Sequence, residues 1–140
     1  MLTKATLTLR LALQTAILTG WTAGKLHLFK NDFTPGFDSV VGDFTEATFP
    51  GYAEIDDVSG PLSGTDAETG LLTVTWADGS SWLAGTIVAD ETIYGWYITN
   101  TAGSSCLAAG RFDTPVLINS TGDILSISPP KAQVLLDIVQ

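Results

Sequence analysis

Cysteine, histidine and methionine each occur once in this 140-residue chain, and lysine and arginine together only six times. The lone thiol, Cys106, excludes an internal disulfide and so says nothing about redox compartment. Its surroundings, "GSSCLAAG", match no nucleophile motif, and the one imidazole that could act as its base, His27, is distant in sequence. Cys106 therefore reads as a structural thiol. One His and one Cys leave only carboxylates and carbonyls as further metal ligands, which excludes the usual Cys/His zinc patterns. G-x-S-x-G, the P-loop and G-x-G-x-x-G are all absent. Basic residues are outnumbered by 15 carboxylates, for a net charge of −9. A body this acidic repels phosphate backbones, which argues against nucleic-acid binding. Long apolar runs are missing too. Arg10 and Gln14 interrupt "MLTKATLTLRLALQTAILTGW", leaving a stretch too short to span a membrane. No clean A-x-A cleavage site follows it, so the segment is expected to belong to the domain and not to a secretory signal.

What the chain does have is apolar content, 45% hydrophobic against 15% charged. That balance excludes disorder and fits a single domain over 1–140 with a real core. So few charges leave uncharged polar side chains, threonine above all, to cover the surface, or leave apolar surface to be buried against another chain. The charge is also uneven. Lys4, Arg10, Lys25 and Lys30 precede every acid in the chain, and only Arg111 and Lys131 oppose the carboxylates that follow. A weakly basic end and an acidic body can attract one another between copies. The plainer reading is that acidity keeps the protein soluble.

In the N-terminal stretch, Leu7, Leu9, Leu11 and Leu13 alternate like a strand. Leu2, Ala5, Leu9, Ala12, Leu13, Ala16 and Ile17 instead recur at helical spacing. Length and the terminating Gly20 predict a helix over 4–19. From Lys25 the pattern is β. "KLHLFK" alternates as a short strand, and "NDFTPGF" carries turn chemistry. Asp43 and Glu46 have capping-box spacing, which predicts a helical turn at 44–48 closed by Pro50-Gly51. "SGPLSGTDAETG" reads as a long polar loop. "LLTVTW" and "WLAGTIVA" read as a hairpin with Asp78-Gly79 at its tip. "TIYGWYITN" and "CLAAGRFD" form a second hairpin, and "PVLIN", "TGDILSISP" and "KAQVLLDIV" supply three more strands. Strands at such intervals, separated by Gly-rich turns, indicate a sandwich or barrel. There is no tandem repeat, second domain or low-complexity linker.

Four features bear on chemistry. Asp56-Asp57 with Asp66 and Glu68 could hold Ca²⁺ if the fold gathered them, but no calcium-loop spacing is present. Among so many acids any carboxylate pair can be proposed for glycoside hydrolysis, so that signal carries little weight. His27, with Asp32, Asp38, Asp43, Glu46 and Glu54 downstream, raises the question of a metal or proton-transfer site, but it sits mid-strand between two leucines and reads as a structural or surface histidine. The aromatics are the stronger lead. Trp76 and Trp82 flank the predicted hairpin tip, and period-2 geometry puts Tyr94 and Trp96 on one strand face with Tyr97 on the other. Exposed, these rings could form a sugar-stacking platform. Buried, they are core or subunit interface, and Gly95 beside bulky rings favours close packing.

"KLHLFKNDFTP", "GDFTEATFPGYAEI", "IYGWYITN" and "LAAGRFDTPVLINSTGDILSISP", within residues 25–55 and 93–129, cover about half the chain. In these stretches the sequence resembles small virion-associated proteins encoded in tailed-phage genomes. That family's pattern has a leading helix, a strand ending in an LFxND…TP turn, a DFTEATFPGY segment and a Y-G-aromatic strand. The resemblance implies a non-enzymatic structural protein of the phage particle, of head-decoration, head-fibre or other capsid-associated type, made in the host cytoplasm, with no catalytic residues to carry over. The loop 56–70 and the Trp76/Trp82 region lie outside the pattern.

The expectation is thus a mainly β protein, a β-sandwich or jelly-roll-like body over 25–140, with one N-terminal helix and its connection over 1–24. It would assemble as a homo-oligomer, most naturally a trimer, on a major capsid or other virion protein, with no cofactor, metal, nucleic acid or membrane partner. Contact candidates are Lys4 and Arg10 in the basic segment and Trp76, Trp82, Tyr94 and Trp96 in the body. The alternative is a carbohydrate- or receptor-binding β module of a phage tail or particle, with Trp76, Trp82 or Trp96 exposed to a glycan.

Overall fold

The computed structural model describes residues 24–56, 62–65, 71–75, 80–128 and 131–135, together with Thr8, Ala12 and Thr15. The helix expected over 4–19 falls outside these residues apart from those three exposed positions, and the described structure does not support it as an element. The protein is mainly β. Its strands are β1 (Lys25–Phe29), β2 (Leu62–Thr65), β3 (Leu71–Thr75), β4 (Ser80–Leu83), β5 (Glu91–Thr99), β6 (Cys106–Ile118), β7 (Ile124–Ile127) and β8 (Lys131–Leu135). They form three antiparallel sheets with strand orders β1-β5-β6, β2-β3-β8 and β4-β7.

Alternation in β1 predicts a strand with one buried face, but four of its five residues are buried. Leu26 and Leu28 enter a main cluster with Ala47, Phe49, Trp82, Ala84, Ile93, Ile98, Ile118, Leu125 and Ile127. On the opposite face Phe29 joins Phe44 and Tyr97 in a second, largely aromatic cluster. β1 is therefore sandwiched between two apolar environments. Its free edge is closed by the segment 44–56. Lys30 N donates to Thr45 O (2.8 Å), Ala47 N to Leu28 O (2.9 Å), and Leu26 and Ile55 exchange two bonds of 3.0 Å.

This segment corrects the helical turn expected at 44–48. A short 3₁₀ turn occupies Val41–Asp43 instead, and Asp43 caps its own turn, with Oδ2 accepting from Val40 N (2.9 Å). Glu46 is not a capping partner, because burying Phe44, Ala47 and Phe49 draws 44–48 out along the edge of β1. The chain then reverses at Phe49–Tyr52, where Gly51 takes φ 91°. A Cβ there would run into the Leu83 carbonyl, so Pro-Gly is the pair this turn requires.

The "LLTVTW"/"WLAGTIVA" hairpin does not form. β3 pairs with β2 and β8, while β4 pairs with β7, Trp82 lying opposite Leu125. The expected tip, Asp78-Gly79, lies outside the described residues. Within the supposed polar loop, Leu62–Thr65 is a strand. The second expected hairpin, β5–β6, is present. Its turn is held by Asn100 Oδ1, which accepts from Ser104 N (2.8 Å) and Ser105 N (3.2 Å). "PVLIN" is no separate strand, because Pro115 to Ile118 continue β6. The register jumps between Ile93 opposite Val116 and Gly95 opposite Arg111, a bulge that accommodates a proline lacking an N–H.

Candidate functional site around His27

His27 lies directly opposite Tyr97 in the β1–β5 ladder, and the two rings stack at 4.6 Å and 12°. Tyr97 stacks in turn on Phe44 at 4.5 Å and 7°, which makes a three-ring column. Two residues further along the same face of β5, buried Thr99 places Oγ1 3.0 Å from His27 Nε2. The other ring nitrogen points to the segment that closes β1's edge. The Phe29–Glu46 and Leu26–Ile55 bridges anchor that segment on either side of His27. They bring Glu46 Oε1 to 2.9 Å and Glu54 Oε2 to 3.6 Å from Nδ1. A histidine and two carboxylates, far apart in sequence, thus converge on one point.

Each member is held from outside. Tyr52 donates its hydroxyl proton to Glu46 Oε1 (2.8 Å) and accepts from Leu28 N (3.2 Å). Lys25 Nζ donates to Glu54 Oε1 (2.6 Å) and lies 3.3 Å from Asp56. The bonds to Glu54 and Asp56 raise the Lys25 pKa. Burial, reinforced by the Glu46 carboxylate, pushes the Tyr97 hydroxyl up to about 12, and burial raises Tyr52 further still. The His27 side chain is 7% exposed, but Glu46 and Glu54 are 43% and 37% exposed, so the cluster opens to solvent on its carboxylate side.

Hydrogen bonding admits the imidazolium, which donates to both Glu46 and Thr99, and two neutral tautomers. With the proton on Nδ1, it donates to Glu46 and Thr99 donates to Nε2. With the proton on Nε2, it donates to Thr99, and the Nδ1 lone pair faces carboxylate oxygens across 2.9 Å. In that tautomer a proton or a bound cation must satisfy the facing lone pairs.

The contact candidates do not share one face. Trp82 is 4% exposed inside the main cluster, its indole N–H donating to Ala53 O (2.8 Å). Trp96 is half-buried against the same cluster and lies over Gly110. Tyr94 belongs to the other cluster, with the Arg111 guanidinium 5.2 Å above its ring. The bulge separates it from Trp96, which corrects the shared face inferred from simple alternation. Lys4, Arg10 and Trp76 lie outside the described residues, as do Asp57, Asp66 and Glu68 of the suggested calcium group. Asp56, the remaining member, pairs with Lys25. Cys106 is half-buried, and burial raises its thiol pKa. It lines a surface pocket of about 330 Å³ with Pro35, Phe37 and Ala109. No helix among the described residues is long and apolar enough to cross a membrane.

Sequence reasoning set aside Glu46 and Glu54, two of the acids weighed with His27, and missed Tyr52 and Thr99. The available signal was that His27 shares a β1 face with Phe29. No local spacing reveals partners supplied by an edge-covering segment and by β5. No protein-family model, curated protein sequence or solved structure gives a significant match to the chain.

Proposed function

We propose that this chain is a non-enzymatic structural protein of a tailed-phage particle, a capsid-associated protein of decoration or head-fibre type. It would be made in the host cytoplasm and act by oligomerisation and protein–protein contact. The supporting observation is that the two stretches bearing the resemblance, 25–55 and 93–129, fold onto one another. β1 pairs with β5 along its whole length, and the two stretches supply every buried member of the main cluster except Trp82 and Ala84. The resembling residues are thus one folded unit and not scattered turns. In the finer reading of the architecture, β1-β5-β6 and β4-β7 are the layers of a sandwich-like body with the main cluster between them.

Contact would come from area. Leu83 and Ile124 are cross-strand partners on β4–β7, yet they are 61% and 66% exposed, and Phe37, Val40 and Val88 are also exposed. Such surface suits burial between copies, a trimer being the favoured assembly, or against a major capsid or other virion protein. Native mass spectrometry should give a closed oligomer, and the protein should co-sediment with capsids of the phage that encodes it. A strict monomer at high concentration that leaves capsids bare would sink this reading.

A further inference from the structure

We propose that His27, Glu46 and Glu54 form a binding site for a divalent transition-metal ion of the zinc class. The inference is independent of the phage reading and rests on the geometry of the cluster. One ligand atom from each residue lies within 4.8 Å of the other two. A tetrahedral zinc with bonds of about 2.0–2.1 Å keeps neighbouring ligand atoms about 3.3 Å apart. The Nδ1 separations of 2.9 Å to Glu46 and 3.6 Å to Glu54 fall on either side of that value. Small side-chain rotations therefore suffice to close the shell.

The surroundings match the needs of a bound ion. Metal-ligating imidazoles usually donate their second N–H to an acceptor that fixes ring orientation. Here Thr99 Oγ1 is that acceptor for Nε2, and Tyr97 stacking holds the ring plane. Tyr52 donates to Glu46, and Lys25 occupies Glu54 Oε1, leaving Oε2 turned toward Nδ1. The imidazole nitrogen selects zinc-class ions over calcium and magnesium, which prefer all-oxygen shells. The solvent-facing side leaves a fourth position for water. On binding, the ion replaces the Nδ1 proton, which leaves to solvent, while Nε2–H donates to Thr99. Lys25 is the opposing charge and limits affinity. The bound ion would fasten the segment 44–56 to β1.

Because His27 is the sole histidine, its ring nitrogens can be read without ambiguity. The full-length protein, stripped with a chelator, is titrated with ZnCl₂ by calorimetry and by ¹H–¹⁵N NMR of the imidazole. The expected result is one saturable site, an Nδ1 resonance moving to the metal-bound position with Nε2 protonated, and a raised Tm. Glu46→Gln and Glu54→Gln should each weaken binding about tenfold or more, and Thr99→Val by about 10–100-fold. Far-UV circular dichroism of each metal-free variant checks the fold, and Glu54→Gln, on a solvent-exposed side chain, keeps the test valid if the others unfold. Zinc binding that leaves the His27 resonances unmoved, or that Glu54→Gln does not weaken, overturns the proposal. So does the absence of a saturable site at millimolar zinc.

Discussion

Gly95 and Gly110 are diagonal neighbours across β5–β6, and a Cβ on Gly95 would run into the Gly110 carbonyl. A Cβ on Gly95 would lie 2.7 Å from the Phe29 ring, and one on Gly110 would lie 2.8 Å from the Trp96 indole. Neither ring is free to withdraw, since Phe29 is fully buried and Trp96 packs on the main cluster. Gly95→Ala should therefore cost about 1–3 kcal/mol through overpacking, read as a lower urea midpoint with an unchanged slope. The tyrosines give a second expectation at this scale. The Tyr97 pKa is raised to about 12 in the fold from 10.0. The native state thus keeps a proton that the unfolded chain releases, and stability present below pH 10 is lost as pH rises through about 12. Tyr52, raised by burial, adds in the same direction. An absorbance titration should show tyrosinate forming late, in step with loss of structure. Close packing at Gly95 was legible from the sequence, because a glycine among Tyr94, Trp96 and Tyr97 has few other uses in a strand. The His27 cluster was not, because its four partners come from other elements.

At the scale of elements, the segment 44–56 does most to build the site although none of it is a strand. Its fastening point is Glu91 at the start of β5. Glu91 Oε1 accepts from Thr48 N (2.7 Å) and Phe49 N (3.0 Å), and Oε2 accepts from the Thr48 hydroxyl (2.7 Å) and Lys30 Nζ (3.0 Å). Burial alone would raise this carboxyl's pKa, but the Thr48 and Lys30 bonds outweigh it and the net shift is downward. The contribution is present above the unfolded carboxyl's pKa and is lost as pH falls through the lower folded one. Glu91→Gln keeps one oxygen for the Thr48 and Phe49 N–H groups but turns an amide NH₂ toward Lys30 Nζ and removes the charge that holds it. It should cost about 1–3 kcal/mol, with faster amide exchange at Thr48 and Phe49 than elsewhere. The sequence made β1, the β5–β6 hairpin and β7 legible, since alternation and an Asn- or Gly-bearing turn are local signals. It misled at 71–83, where turn chemistry at Asp78-Gly79 pointed to a local hairpin. Strand partners there are decided by which distant chain buries Trp82, and Leu125 on β7 does so.

At the scale of the molecule, the described basic side chains are taken up by carboxylates of the same chain. Lys25, Lys30 and Arg111 are each paired with a carboxylate, to Glu54, Glu91 and Asp32 respectively. Three of the chain's six basic side chains are thereby engaged at home, which weakens the idea that a basic face seeks an acidic one on a neighbouring copy. Exposed apolar side chains remain the better basis for association. Leu83 and Ile124 sit opposite each other on β4–β7 and point away from the core that Trp82 and Leu125 enter from the same two strands. Leu83→Ser with Ile124→Ser should leave monomer stability within about 0.5 kcal/mol, because exposed substitutions remove few contacts. If that face is buried between copies, the same pair should shift the assembly toward monomer. Sedimentation velocity over a concentration series separates the two effects, and urea unfolding checks the first. An unchanged sedimentation profile with unchanged stability would remove the β4–β7 face from the interface and direct attention to Phe37 and Val40, the exposed apolar side chains of the 33–40 loop.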